Sequence, residues 1–164
     1  GKYKLPFSIY KNKLNRKIRE LCKIKKIAFI WLRFFYVYGI NQKSSSLFPF
    51  IFKSLKIQNT IHIQNPNYKN DFIYLDDVVE AIIKSIYLKK HVNSDLDIGS
   101  GKSIKINNIV KQIGIYLKKK IKIQSNSKHT NLNYYANLKK TVKILNWKPK
   151  ININQGIKKI SKFY

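Results

Sequence analysis

Acidic residues are scarce in this chain. Its 164 residues include 34 lysines and arginines but only seven aspartates and glutamates, which gives a formal charge of +27 at pH 7. Such an excess of positive charge favours salt-dependent binding to phosphate groups, so a basic nucleic-acid-binding module is one interpretation. However, only Arg16, Arg19 and Arg33 are arginine, the residue that nucleic-acid sites use heavily. A lysine-rich composition imposed by an AT-rich genome is the other interpretation.

Methionine is absent, and cysteine occurs only once, at Cys22. A single cysteine excludes an intrachain disulfide and a cysteine-based metal site. The sequence contains no apolar run of roughly eighteen residues, so we expect no membrane span, and no secretory signal is visible. We therefore expect a cytoplasmic location without a membrane partner. Because the chain begins with Gly1 rather than methionine, we also expect it to be a fragment.

The first half of residues 27–39 is apolar without any polar alternation. Alternate residues of a strand point to opposite sides, and here both sets are apolar. Both sides must then be covered, which is typical of a strand in a parallel sheet between helices. We therefore predict one strand over residues 27–38. Ligands of open parallel sheets bind at the carboxyl ends of strands, so residues 34–39 are the first candidate site.

Hydrophobic periodicity predicts that helices and short strands alternate along the rest of the chain, as in an α/β fold. Asp77 and Glu80 fit a capping box at the start of one helix. Trp147 and Pro149 mark the end of another helix, because proline cannot continue it. The predicted helices cover residues 10–25, 47–55, 77–90, 107–119, 136–145 and 155–163, and further strands are predicted at 60–64, 71–75, 95–98 and 120–124.

Five segments of the sequence carry a resemblance to a known family. They are PFSIYKNKL at 6–14, LRFFYVYG at 32–39, NDFIYLDDVVEAI at 70–82, DIGSGKSI at 97–104 and LNWKPKININQGI at 145–157. In this order and spacing they resemble the C-terminal half of the extended short-chain dehydrogenase/reductase family, in its NAD-dependent epimerase/dehydratase branch. The resemblance implies the C-terminal portion of a doubly wound Rossmann-type fold plus a smaller α/β substrate-binding region. Residues 1–40 would end the NAD-binding domain, and residues 41–164 would form the substrate-binding region.

The resemblance implies a catalytic role for Tyr10. In the family, a tyrosine exchanges a proton with a sugar hydroxyl, and a lysine four residues later favours its ionised form and binds the nicotinamide ribose. That position is Leu14 here, and Lys13 comes one residue early, about 100° away around a helix. Tyr10 and Lys13 are therefore the candidate catalytic and cofactor-binding residues. The structural alternatives are an aromatic residue packed on the core and a solvated surface lysine.

Four further positions match the family at cofactor or substrate contacts. Phe35 stands where the family's backbone lies beside the nicotinamide, which makes it a candidate cofactor-binding residue. The resemblance implies substrate-binding roles for Tyr36, Asn70 and Asp97, where the family has asparagine, arginine and often asparagine. Asn70 lacks the planar fork with which arginine binds a diphosphate. For Phe35 and Tyr36, the structural alternative is that these aromatic side chains of a strand simply pack in the core.

The sequence contains no GxxGxxG loop after a first strand, so the family's cradle for the NAD pyrophosphate is missing. We predict a partial NAD-dependent enzyme for epimerisation, dehydration or reduction of a nucleoside-diphosphate sugar, serving cell-surface polysaccharide synthesis. We expect the chain alone to be inactive and not to bind NAD or NADP tightly. The alternatives are the nucleic-acid-binding module and a non-catalytic partner of a separate N-terminal half. A homodimer is also compatible with the sequence.

Overall fold

A computed structural model describes residues 6–125 and 133–164, so the middle of the loop predicted at 125–135 lies outside the described residues. The helices are α1 (Pro6–Ile24), α2 (Leu47–Ile57), α3 (Leu75–Ile86), α4 (Ile106–Tyr116), α5 (Leu138–Leu145) and α6 (Ile153–Ser161). The strands are β1 (Phe29–Phe34), β2 (Tyr36–Tyr38), β3 (Thr60–His62), β4 (Lys69–Tyr74), β5 (Asn93–Ile98), β6 (Ser103–Lys105) and β7 (Lys122–Gln124). No helix among these is both long and apolar enough to cross a membrane.

The single strand predicted over residues 27–38 is in fact two strands that belong to different sheets. β1 pairs in parallel with β5, whereas β2 pairs in parallel with β4. The change of partner occurs at Phe35, whose backbone N–H still donates to Ile98 O at 3.0 Å. The prediction of one strand was wrong because an unbroken apolar run does not reveal a change of partner.

The remaining strands extend the second sheet and form a third. β6 pairs antiparallel with β4, and β3 pairs in parallel with β7. Helices follow β2, β4, β6 and β7 along the chain. The parallel pairs joined by helical connections confirm the predicted α/β class.

Two hydrophobic clusters form the core. The first joins β2 and β4 to α2, α4 and α6, and its centre includes Tyr38, Phe48, Phe52, Phe72 and Ile109. The second joins β5 to α3 and α5, and its centre includes Leu96, Ile98, Ala81, Leu145 and Trp147. Ile30 and Leu32 pack against this second cluster, so one face of β1 is covered by α3 and α5.

The other face of β1 is covered by α1. The Arg19 guanidinium lies 5.2 Å from the centre of the Phe29 ring and pairs with Asp95 on β5. β1 forms hydrogen bonds with β5 along one edge, and no strand in the described ranges pairs with its other edge. We call this edge the open edge. Beside it, an exposed row of apolar residues at helical spacing forms what we call the α1 stripe: Phe7, Tyr10, Leu14, Leu21 and Ile24.

Asp77 does not cap α3 as predicted. The helix begins at Leu75, two residues before Asp77, and its N-cap Tyr74 makes no side-chain cap. The Asp77 carboxylate is buried and instead accepts hydrogen bonds from Lys150 N at 3.0 Å and Ile151 N at 2.9 Å. The capping-box prediction was therefore wrong, because the carboxylate's partners lie more than seventy residues away in sequence.

A capping box does occur at the start of α6. The Asn152 side chain accepts from Gln155 N, and the Gln155 side chain accepts from Asn152 N. The sequence analysis missed it. It follows the break at Pro149, and together these features fix the direction in which α6 returns to the first cluster.

Candidate functional site

Tyr10 and Lys13 lie together on the exposed first turns of α1. The Lys13 Nζ atom is 5.9 Å from the centre of the Tyr10 ring, so the ammonium group faces the ring. Tyr10 is 68% exposed and does not pack on the core of the described residues. One turn earlier, Lys11 Nζ lies 4.5 Å from the centre of the Phe7 ring. That pair has the family's four-residue spacing but no hydroxyl.

Tyr36 and Asn70 share one face of the second sheet. Tyr36 is in register with Phe72 on the neighbouring strand, and the two rings lie 4.8 Å apart. Asn70 precedes Phe72 by two residues on β4, so its side chain is on the same side. The structure thus brings two of the three predicted substrate residues to one surface. Phe35 lies next to this face, at the change of sheet.

Asp97 is in the other sheet, where its carboxylate already has partners. One oxygen accepts from Arg33 Nε at 2.7 Å, and the other accepts from Asn137 N at 3.1 Å, just before α5. The Thr141 hydroxyl donates to the Asp97 backbone carbonyl at 2.7 Å. These contacts join β1, β5 and α5 at the carboxyl end of the two strands. Asp97 thus lies in a different sheet from Tyr36 and Asn70.

Asp71 holds three segments together beside this end of the sheet. Its buried carboxylate accepts from Ser100 N, the Ser100 hydroxyl, Gly101 N and Ala136 N at 2.6 to 2.9 Å. A Cβ at Gly99 would lie 2.6 Å from this carboxylate, so the glycine is needed for the close approach. The sequence analysis gave Asp71 no site role, and the glycine turn of residues 99–101 was the only local signal.

An open groove of about 620 Å³ is another feature that the sequence analysis missed. Its lining is mostly apolar, with the His62 imidazole, two side-chain amides and the Tyr68 hydroxyl as polar groups. Such a lining suits a flat ring with a few hydrogen-bonding groups. The turn after β3 forms its wall and is held by Asn107 N, which donates to Pro66 O at 2.8 Å. The lining residues are Leu47, Phe50, His62, Ile63, Gln64, Asn65, Tyr68 and Ile106.

Tyr38 lies inside the core and is not available for chemistry. It is 1% exposed, and its hydroxyl has no hydrogen-bond partner among the described residues. Burial raises its pKa far above the ordinary value of 10, and the nearby Tyr74 and Asp77 add to this effect. Tyr38 therefore stays protonated, and the accessible tyrosines of the candidate site are Tyr10, Tyr36 and Tyr68.

The described residues contain no group of three or more histidine, cysteine, aspartate or glutamate side chains that could hold a metal ion. The comparison with known proteins points to a different cofactor class. A profile of the NAD dependent epimerase/dehydratase family matches residues 2–99, which is more than half of the chain. The chain belongs to this family. The family that the sequence resemblance predicted is thereby confirmed.

Individual relatives show the fold and how much of it is present. CDP-abequose synthase of Salmonella muenchen is 30% identical over 98% of this chain, which covers 58% of that protein. The structure of RMD from Pseudomonas aeruginosa with NADPH has a TM-score of 0.87 at 16% identity, covering 97% of this chain and 56% of that one. UDP-glucuronic acid 4-epimerase from Bacillus cereus, with UDP-glucuronic acid and NAD, has a TM-score of 0.78 at 20% identity, covering 91% and 50%.

The chain therefore spans about half the length of the relatives it matches. The fold of the described residues is that of Rossmann-type structures solved with NAD or NADPH, one of them with a nucleotide sugar.

Proposed function

We propose that this chain is the substrate-binding part of an NAD(P)-dependent enzyme that epimerises, dehydrates or reduces a nucleoside-diphosphate sugar in the cytoplasm. The product would serve cell-surface polysaccharide synthesis. The observation that carries the proposal is the open edge of β1 in a member of this family that spans half its relatives' length. A parallel strand with a bare edge beside an exposed apolar stripe is an unfinished sheet.

In the proposal, two surfaces of the chain bind different parts of the nucleotide sugar. The groove at His62 takes the nucleoside ring, because it is a large, mostly apolar concavity between α2, β3 and the start of α4. The Tyr36 and Asn70 face contacts the sugar and diphosphate. Asp97, which is already paired with Arg33, positions α5 instead of contacting substrate directly.

The residues present do not fit a complete dinucleotide site. The chain has no glycine-rich loop to hold a pyrophosphate, and the only candidate cofactor contacts are Tyr10, Lys13 and Phe35. When bound, a nicotinamide cofactor supplies hydride transfer in such enzymes. Here Tyr10 would exchange a proton with a sugar hydroxyl, with Lys13 as the nearby cation. The 164 residues alone should therefore neither bind NAD tightly nor turn over substrate.

The partner that completes the site is an N-terminal half of the same family. In the proposal it adds a strand to the open edge and covers the α1 stripe, whichever polypeptide carries it. Residues 1–40 would then belong to the NAD-binding domain. A homodimer through the α1 stripe is disfavoured by charge, because two chains of +27 repel each other.

Co-expression tests the proposal. The chain is produced with the N-terminal half of CDP-abequose synthase, which supplies the missing segment, and nucleotide-sugar turnover is measured with NAD and NADP. We expect a stable complex that gains activity and loses it in Y10F, while Y87F, a matched change at an exposed tyrosine on α3's C-cap, retains it. A stable complex without turnover would favour the non-catalytic role, and no complex would contradict the proposal.

A further inference from the structure

We propose that the α6 face of this protein binds single-stranded nucleic acid through a lysine-lined groove and the exposed aromatic residue that follows its last lysine in sequence. This role is independent of the proposed enzymatic function. The groove has a volume of about 310 Å³, and four of its six lining residues are lysines. We call it the α6 groove, and its lining consists of Lys150, Ile151, Gln155, Lys158, Lys159 and Lys162.

Acidic side chains leave part of this groove unneutralised. Lys150 pairs with Glu80 at 2.7 Å, and Lys159 pairs with Asp76 at 2.9 Å. Lys158 and Lys162 form none of the ion pairs found among residues 6–125 and 133–164, and both are exposed. They are four residues apart, so they lie one helical turn from each other on the same side of α6. Two ammonium groups without an ion pair in the described part of the chain thus lie on one side of α6, where they are available to an anion.

Few carboxylates elsewhere in the protein are free to compete with a bound anion for Lys158 and Lys162. Of the seven acidic residues, only Glu20 has neither an ion pair nor a buried hydrogen-bonded position among the described residues. Two of the others, Asp71 and Asp77, are buried and accept backbone N–H groups. The remaining four are held by lysine or arginine: Asp76, Glu80, Asp95 and Asp97.

An exposed aromatic residue directly after Lys162 favours nucleic acid over a simple anion. Phe163 follows directly after Lys162, is 63% exposed, and lies one turn from Lys159. Unpaired bases stack on such exposed rings while lysines follow the phosphates, and this combination is typical of proteins that bind single strands without sequence preference. A duplex offers no free base faces for Phe163, so the single strand is the ligand that uses both features.

The test measures binding of a fluorescein-labelled oligothymidylate to the 164-residue chain by anisotropy over a range of salt concentrations. In K158A/K162A the slope of log K against log salt should fall in magnitude by about 1.4, the value for two lost phosphate contacts on a single strand. The matched control is K139A/K143A, which removes two exposed lysines at the same spacing on α5. The control should keep the slope to within about 0.3.

A second pair of variants tests the stacking. F163A should weaken binding by about 5-fold or more, the lower limit for one base stacked on one ring, whereas Y87A at a more exposed aromatic should change it less than about 2-fold. Equal losses in the two lysine variants would overturn the proposal in favour of a diffuse positive field. Binding to phosphatidylglycerol vesicles through Lys158 and Lys162, without binding to the oligonucleotide, would overturn it in favour of a membrane surface.

Discussion

Arg33 and Asp97 are in register on the parallel strands β1 and β5, and Arg33 Nε donates to Asp97 Oδ1 at 2.7 Å. The same carboxylate accepts from Asn137 N, so one side chain ties both strands to α5. Both oxygens of this carboxylate thus have partners within the chain. The resemblance implies a substrate role for Asp97. The effect of replacing Asp97 on the free energy of unfolding shows whether this residue also has a structural role.

We expect D97A to lower the free energy of unfolding by about 1–2 kcal/mol, because it removes the ion pair and leaves Asn137 N without its partner. R33A should cost less than about 1 kcal/mol, since the Arg33 side chain is 54% exposed and solvent screens the pair. Urea denaturation measures both. Equal effects of the two variants would show that the Asn137 contact contributes nothing.

Asp71 should matter more for stability than any other acidic residue. D71A leaves three backbone N–H groups around a buried position without an acceptor, while the Ser100 hydroxyl still has Lys102 O, and we expect a loss of about 3–5 kcal/mol. S100A removes only the hydroxyl donor and should cost about 1 kcal/mol. Thermal and urea unfolding of both variants give the comparison. A loss below about 1.5 kcal/mol in D71A would mean that solvent replaces the carboxylate easily.

The raised pKa of Tyr38 predicts how the free energy of unfolding depends on pH in alkaline solution. Its pKa is raised in the folded state, so only the unfolded chain releases this proton near the ordinary pKa of 10. The contribution is fully present below pH 10, and stability falls as the pH rises above that value. Y38F should remove part of this fall. At neutral pH it should be neutral or stabilising by up to about 1 kcal/mol, because the hydroxyl has no partner among the described residues.

Gly156 gives a related test of packing against the same ring. A Cβ at Gly156 would lie 1.9 Å from the Tyr38 hydroxyl oxygen and 2.6 Å from ring atom Cζ. G156A should therefore destabilise the protein by about 1–3 kcal/mol despite the better helix propensity of alanine. At Gly114 the nearest atom is the flexible end of Ile121, so G114A should cost less. The order of the two unfolding midpoints in urea tests this prediction.

The open edge of β1 predicts an alternating pattern of amide exchange. Phe29 N and Phe35 N donate toward β5, so the backbone N–H groups of Ile30, Leu32 and Phe34 point to the open edge. In the chain alone these three amides should exchange with solvent much faster than those of Trp31 and Arg33. NMR-detected hydrogen exchange measures this, and an N-terminal half should slow the three. Uniform protection in the isolated chain would contradict an open edge.

Local patterns in the sequence were enough to predict the helices and the α/β class. The periodicity of residues 10–25 and 107–119 placed α1 and α4 to within a few residues, because each helix buries one side. Long-range partners could not be predicted. Nothing near Asp77 indicates Lys150 and Ile151, and the partner change at Phe35 depends on which strands return beside β1 and β2.

For the candidate site, the sequence identified residues but not their arrangement. Tyr36 and Asn70 share a face only because β2 and β4 pair in that register, and Asp97 lies in a different sheet because β5 pairs with β1 instead. The groove at His62 depends on a turn that packs against the start of α4. The roles of Tyr10, Lys13 and Phe35 stay predictions, since no contact among the described residues tests them.

The central claim is that these 164 residues form the substrate-binding half of a nucleotide-sugar enzyme whose dinucleotide site is completed by another segment. Calorimetric titration of NAD into the isolated chain, and into its complex with an N-terminal half, tests this claim most directly. We predict no tight binding by the folded chain alone and clear binding by the complex. A dissociation constant in the low micromolar range for the isolated, folded chain would contradict the claim.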